Sequence, residues 1–126
     1  MSQNAKAPAQ QPYQVQKVSV VVAGADVQVR EFTVACGEEV PWHYHSVVTD
    51  WCYCLEGKVK AEIAEAGGAA RIKTLMLSPG QSCRIEPGLR HRLTNGGDSL
   101  CRYLLVQGGG KYDFFKIADS PSPGNQ

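Results

Sequence analysis

The chain has 126 residues, with 13 lysines and arginines against 12 aspartates and glutamates and only three histidines. That length sets a single domain with one hydrophobic core. A formal charge of +1, spread without any block of like charges, gives no electrostatic footprint for nucleic acid or an anionic membrane surface, and no stretch nears the roughly eighteen apolar residues of a membrane span.

Residues 1–14, rich in Gln, Ala and Pro, have almost nothing to bury and are expected to form a tail. The domain is expected over 15–117. In its first run Val18, Val20 and Val22 alternate with Lys17, Ser19 and Val21, which is the period of a strand. The same run is too short for a secretory apolar segment, and a long polar stretch precedes it where a compact basic region would be needed. Next comes Val27 to Val34, of mixed alternation, and then the histidine-bearing stretch between Gly37 and Gly57. Val59, Ala61 and Ile63 alternate with Lys58, Lys60 and Glu62, as in a strand with one wet face. Arg71 to Leu77, Ser82 to Glu86, His91 to Thr94, Leu100 to Val106 and Tyr112 to Ile117 complete the expected strands. Turn chemistry separates them, at Gly67-Gly68, Pro79-Gly80, Pro87-Gly88, Asn95-Gly96-Gly97 and Gly108-Gly109-Gly110. Residues 118–126 are expected to be a second tail. No window carries apolar residues at helical spacing, so the pattern predicts an all-β sandwich or barrel.

Five cysteines, an odd number with no Cys-x-x-Cys pair, make a poor disulfide framework and point to a reducing, cytoplasmic setting. Cys36, Cys83 and Cys101 are expected to be small buried hydrophobes.

The chemistry concentrates in Gly37 to Gly57, where His43 and His45 are separated by one residue. On a strand both project from one face, about 7 Å apart along the backbone, and two imidazoles so placed can converge on one ion. Alone, such a pair is only a hint. The third histidine, His91, sits in a spaced pattern of its own. Gly80 is followed after seven residues by Gly88, then by His91 and Asn95.

These two stretches resemble the paired motifs of the cupin superfamily, in the small single-domain form with one conserved barrel. Gly37, His43, His45 and Gly57 fit the first motif, with Asp50 standing where a glutamate is usual. Gly80, Gly88, His91 and Asn95 fit the second, with Glu86 in place of the usual first proline and Pro87 beside it. The resemblance spans roughly residues 18 to 117. It implies an antiparallel jelly-roll β-barrel whose mouth holds one divalent transition metal ion (Fe, Mn, Ni or Zn) on His43, His45, His91 and the acidic Asp50. Aspartate is one methylene shorter than glutamate. Asp50 either ligates from a closer backbone or orients a water or a histidine, leaving a three-histidine site as in the thiol-dioxygenase branch.

Strand parity assigns the lining. If Asp50 faces inward, so do Cys52 and Cys54, as apolar filler or as a redox-sensitive or soft-metal pair, while Trp51 and Tyr53 face out. Leu93 accompanies His91 inward and Arg92 does not. Trp42 and Tyr44 are expected to pack on the far face of the histidine pair, and Asn95 to close the turn into Gly96-Gly97. Arg84 and Arg102 are candidates for gripping a substrate carboxylate. The expected function is that of a metal-binding cupin acting on a small organic molecule, an enzyme of dioxygenase, isomerase or lyase type. The alternative is a non-catalytic binder or sensor. The partners are a small-molecule substrate or ligand and a second copy of the chain in a homodimer, with Tyr112-Asp113-Phe114-Phe115 available to add a strand to the neighbour. Neither nucleic acid nor membrane is expected.

Overall fold

A computed structural model describes residues 13–65 and 71–117. Residues 1–12 of the tail expected over 1–14, the tail expected over 118–126 and the Gly67-Gly68 turn lie outside the described residues. Ten strands form among the described residues: β1 (Lys17–Ala23), β2 (Val27–Val34), β3 (Glu39–Tyr44), β4 (Thr49–Glu56), β5 (Val59–Ala64), β6 (Ile72–Leu77), β7 (Ser82–Ile85), β8 (His91–Asn95), β9 (Cys101–Gly108) and β10 (Phe115–Lys116). They make two five-stranded sheets, ordered β1-β2-β9-β4-β7 and β10-β3-β8-β5-β6. Every pairing is antiparallel. The all-β jelly-roll expectation is borne out.

The sheets face each other because each strand keeps one apolar face. Phe32 and Val34 of β2, Tyr103 and Leu105 of β9, Cys52 and Cys54 of β4, Val59 and Ala61 of β5 and Leu93 of β8 join one core cluster. Phe32 and Tyr103 stack across the β2–β9 pair, with centroids 5.0 Å apart and planes 6° from parallel. Burying each large apolar side chain contributes about 1.5–3 kcal/mol. Tyr13, from the segment expected to be a tail, is half-buried and stacks on Phe32.

Polar character inside is confined to one end of the barrel. Inward positions on β2 read Gln28, Arg30, Phe32, Val34 and those on β9 read Gln107, Leu105, Tyr103, Cys101, so the apolar core fills one end and polar groups gather at the other. Asp50 on β4, opposite Gln107, lies at that polar end.

Two expectations fail locally. Cys36 is exposed rather than buried, because it falls in the turn after β2, where its thiol faces the Gly97 and Ser99 carbonyls. The Tyr112–Ile117 strand is reduced to Phe115–Lys116 and pairs with this chain's own β3. It forms one edge of that sheet, paired on one side only among the described residues.

Candidate metal centre

β3 carries Pro41, which has no amide hydrogen for the ladder. The register against β8 slips there: Val40 pairs with Leu93 and His43 with His91, three residues against two. This bulge re-phases the strand, so that Val40 and His43 both point into the barrel. Trp42 falls on the opposite face of the strand, buried beneath the Arg92 guanidinium at 5.5 Å. Tyr44 stacks on Phe115. His45 lies just past the end of β3, fixed where its carbonyl accepts the Gly88 amide. Gly88 adopts φ +83°, a left-handed conformation that side-chain-bearing residues rarely hold.

Three strand ends thus deliver the side chains. His43 and His91 are cross-strand neighbours in one sheet, and Asp50 faces them from the other. Each is almost fully buried: His43 3% exposed, His45 3%, His91 1% and Asp50 1%. One potential ligand atom from each lies within 4.8 Å of all the others.

The hydrogen bonds fix which ring nitrogens face inward. His43 Nδ1 donates to the Pro41 carbonyl at 2.6 Å, His45 Nδ1 to the Asp113 carbonyl at 2.6 Å, and His91 Nδ1 to the Leu89 carbonyl at 2.9 Å. A carbonyl only accepts, so each Nδ1 carries a proton, and each ring in its neutral form presents the Nε2 lone pair to the centre. The fourth group is also an acceptor. Asp50 Oδ2 stands 3.3 Å from His45 Nε2 and 3.2 Å from His91 Nε2. Despite those distances, Asp50 Oδ2 and His91 Nε2 have no aligned hydrogen-bond partner. Buried polar atoms are seldom orphaned, and acceptors converging on one point need a cation between them.

A divalent transition metal fits that need. Nitrogen and carboxylate donors suit such ions, and two donors on one ion with bonds of about 2.1 Å stand about 3–3.4 Å apart. The buried His43, His45, Asp50 and His91 group could therefore bind a metal.

Charge within the cluster follows from burial and proximity. Burial, reinforced by the neighbouring His91, pulls the His43 imidazole down to about 3, keeping it neutral. Burial also works against charge on His45, but the Asp50 carboxylate outweighs it and holds this imidazole above its ordinary value. For Asp50, burial alone would push the carboxyl up, and the facing His45 and His91 hold it well below the usual carboxylate range.

A polar row supports the carboxylate. Gln107 Nε2 donates to Asp50 Oδ1 at 3.0 Å, and Gln107 Oε1 accepts from Arg30 Nη2 at 2.8 Å and from Gln28 Nε2 at 3.2 Å. Over the histidines runs the segment after β9: Phe114 stacks on His43 at 4.4 Å and 15°, and Tyr112 lies 5.2 Å from His45. Asp113 clamps this strap by accepting from the Ser46 amide at 2.8 Å and from the Ser46 hydroxyl.

Parity performs as expected on β4 and β8. Cys52, Cys54 and Leu93 face in, Tyr53 faces out and Arg92 pairs outside with Glu62 and Glu39. The two thiols belong to the apolar core cluster, not to the ligand group. Asn95 Oδ1 accepts the Gly97 amide, closing the expected turn. Arg84 and Arg102 are not brought to the site. Arg84 pairs with Glu86 and lies over Trp51, while Arg102 pairs with Glu31 and Glu56. Both occupy outward positions of β7 and β9. Gln107 and Arg30 are residues the sequence reading missed, although polar side chains in the inward phase of apolar alternations were the signal that could have found them.

The Cupin domain family model matches residues 30–107, from Arg30 to Gln107. A comparison with curated proteins finds no match. Among solved structures, the chain is similar to Peruvianin-I, a cysteine peptidase from Thevetia peruviana latex, with 16% identity and a TM-score of 0.71 over 86% of this chain and 73% of that one. It is also similar to oxalate decarboxylase from Lactobacillus farciminis in a formate complex, with 18% identity and a TM-score of 0.70 over 85% of this chain and 33% of that one. A third likeness is to an uncharacterized conserved protein with a double-stranded beta-helix domain from Klebsiella pneumoniae, with 19% identity and a TM-score of 0.65 over 80% and 84% of the two chains. The chain thus spans about a third of the oxalate decarboxylase and 46% of an oxalate oxidase that it also resembles. At these identities the likeness is one of fold. The family model covers well over half of the chain, and with the double-stranded barrel and its histidine cluster in place, this protein belongs to the cupin family.

Proposed function

We propose that this cupin is a metal-dependent enzyme acting on a small organic molecule, with His43, His45, Asp50 and His91 all as ligands. One observation carries the reading: three Nε2 lone pairs and Asp50 Oδ2 converge in a buried site, with Asp50 Oδ2 and His91 Nε2 left without partners. A divalent ion held there would supply a Lewis acid with positions open to substrate, water or oxygen. The chain's own residues do the rest. Carbonyls of Pro41, Leu89 and Asp113 hold the imidazoles in one tautomer, Gln107 holds Asp50, and Phe114 and Tyr112 exclude bulk water from the ligand faces.

Elemental analysis of gently purified protein tests this directly. About one transition metal per chain is expected, abolished in the His43→Ala, His91→Ala double variant; metal retained by that variant would sink the reading. Oxygen uptake by the Fe(II)-loaded protein on a panel of thiols, diketones and flavonoids then separates oxygenase chemistry from isomerase or lyase chemistry.

A second reading, a non-catalytic binder or sensor, draws on the enclosure of His43 and His45 by aromatic rings. It predicts tight ligand binding without turnover on any metal. We further infer a homodimer in a reducing, cytoplasmic setting. Support comes from exposed Val20 and Val22 on the edge strand β1, from Tyr53 and Leu55 on the outer face of β4, and from five free cysteines. Light scattering that gives a monomer mass would overturn the dimer.

A further inference from the structure

We propose that Arg30 is the anchor for a carboxylate group of the small-molecule ligand, so that the site selects organic acids over their neutral analogues. This rests on the metal-site reading only for the position of the ligand's other end.

Arg30 is 5% exposed, and no acidic side chain among the described residues forms an ion pair with it. Four of the other five arginines, Arg71, Arg84, Arg92 and Arg102, each pair with a glutamate near the surface, where pairing matters least, and the fifth, Arg90, is exposed to solvent. Arginine stays charged in proteins, so a buried and unpaired guanidinium is expensive to hold. Its present partners are neutral. Nη2 donates to Gln107 Oε1 at 2.8 Å and to the Tyr112 hydroxyl at 3.4 Å, and Nε has no partner at all. Phe32 and Tyr112 flank the guanidinium carbon at 5.1 and 5.2 Å, and the Tyr13 hydroxyl, another neutral group, lies within reach of the guanidinium.

The location is as informative as the missing partner. Arg30 reaches Asp50 through a single intermediary, Gln107, so it stands beside the ligand cluster rather than on the outer wall. Gln107 passes its amide hydrogen to the carboxylate and takes the guanidinium's hydrogen on its carbonyl, which keeps Arg30 from neutralising Asp50 directly. With a divalent ion offsetting Asp50, the interior would carry uncompensated positive charge from Arg30. A carboxylate supplies the missing charge and two acceptor oxygens, one for the orphaned Nε and one for Nη2 in place of the long Tyr112 contact. The Tyr112 hydroxyl, at 3.4 Å the longer of the two contacts, is the one a carboxylate oxygen would replace. Neutral substrates offer neither the charge nor the paired oxygens.

Calorimetric titration of the full-length chain, zinc-loaded and metal-free, with acetate, lactate and benzoate, each against its amide, tests the assignment. The acids are expected to bind wild-type protein about 10- to 100-fold more tightly than the amides. In Arg30→Gln that preference should fall below about threefold in the zinc-loaded and the metal-free protein alike, and Arg30→Lys, which keeps the charge without the fork, should keep part of it. Equal binding of acid and amide, no acid binding by the zinc-loaded wild type, or an undiminished preference in either variant would overturn it. If Arg30→Gln does not fold, as judged by circular dichroism, Arg30→Lys decides. Because the guanidinium is charged with or without metal, an acid preference in a chain that takes up no metal would sink the metal reading and leave this one standing.

Discussion

Gln107 faces Asp50 across the β9–β4 pair and donates to its Oδ1 at 3.0 Å, which leaves Oδ2 as the oxygen turned toward His45 and His91. One oxygen is thus tethered and the other presented toward the histidines, where it could serve a metal ion. Replacing Gln107 with Leu keeps similar volume but removes the tether. Metal affinity, measured by competition with a chromogenic chelator, is expected to drop about 10- to 100-fold. Unchanged affinity would mean that the backbone alone positions Asp50.

Binding to the folded state alone stabilises it by mass action. A metal at a hundredfold excess over its dissociation constant adds about 2.7 kcal/mol, which raises the unfolding midpoint of a domain this size by roughly 10 °C. Chelation should reverse the shift. Asp50→Asn keeps an oxygen for Gln107 but loses the charge, so its metal-free stability should stay within about 1 kcal/mol of wild type while most of the metal-induced shift disappears. Differential scanning fluorimetry with and without zinc reads both quantities.

Acid should loosen the metal-free protein through His43. Its folded value, pulled down to about 3 by burial and His91, lies below the ordinary 6.5, so the unfolded chain binds the extra proton first. The His43 contribution is complete above about 6.5 and is lost as pH falls toward 3. His45 runs the other way, since its raised value makes its contribution fullest below 6.5 and lost as pH rises through the folded value. Urea unfolding of chelator-treated protein between pH 7 and pH 4 should show falling stability, with a shallower slope in His43→Leu. An equal slope in that variant would assign the acid loss elsewhere.

The cluster of His43, His45, Asp50 and His91 was legible in the sequence because its placement rests on local backbone rules. Gly37, Gly57, Gly80 and Gly88, the four spaced glycines of the two motifs, all adopt positive φ. Alternation then fixed the inward phase of β4 from Asp50 and of β8 from His91. What stayed hidden depends on long-range register. The bulge at Pro41-Trp42 appears only when β3 is laid against β8, and the Tyr112–Phe114 strap only when its fold-back onto β3 is known. Arg30 was passed over for Arg84 and Arg102 because no ligand residue on β2, β7 or β9 marked which phase faced in. Gln107, paired with Asp50, supplies that mark for β9, and Leu105, paired with Arg30, carries it to β2.

Two of the motif glycines separate conformational strain from collision. Gly37 and Gly57 share the left-handed region, at φ +87° and +73°, but a Cβ at Gly37 meets nothing within 4 Å. At Gly57 it would lie 2.6 Å from the Leu100 carbonyl oxygen and 3.0 Å from Cys101 Cα, backbone that cannot swing aside. Gly37→Ala should therefore cost only the conformational penalty, about 1–2 kcal/mol. Gly57→Ala adds the displacement of the β9 entry and should cost at least about 2 kcal/mol more, with lowered metal retention because Gln107 rides on the same strand. Urea midpoints of the two variants, measured side by side on the metal-free protein, check the ordering. Equal costs would show that the loop after β4 yields to the added methyl group.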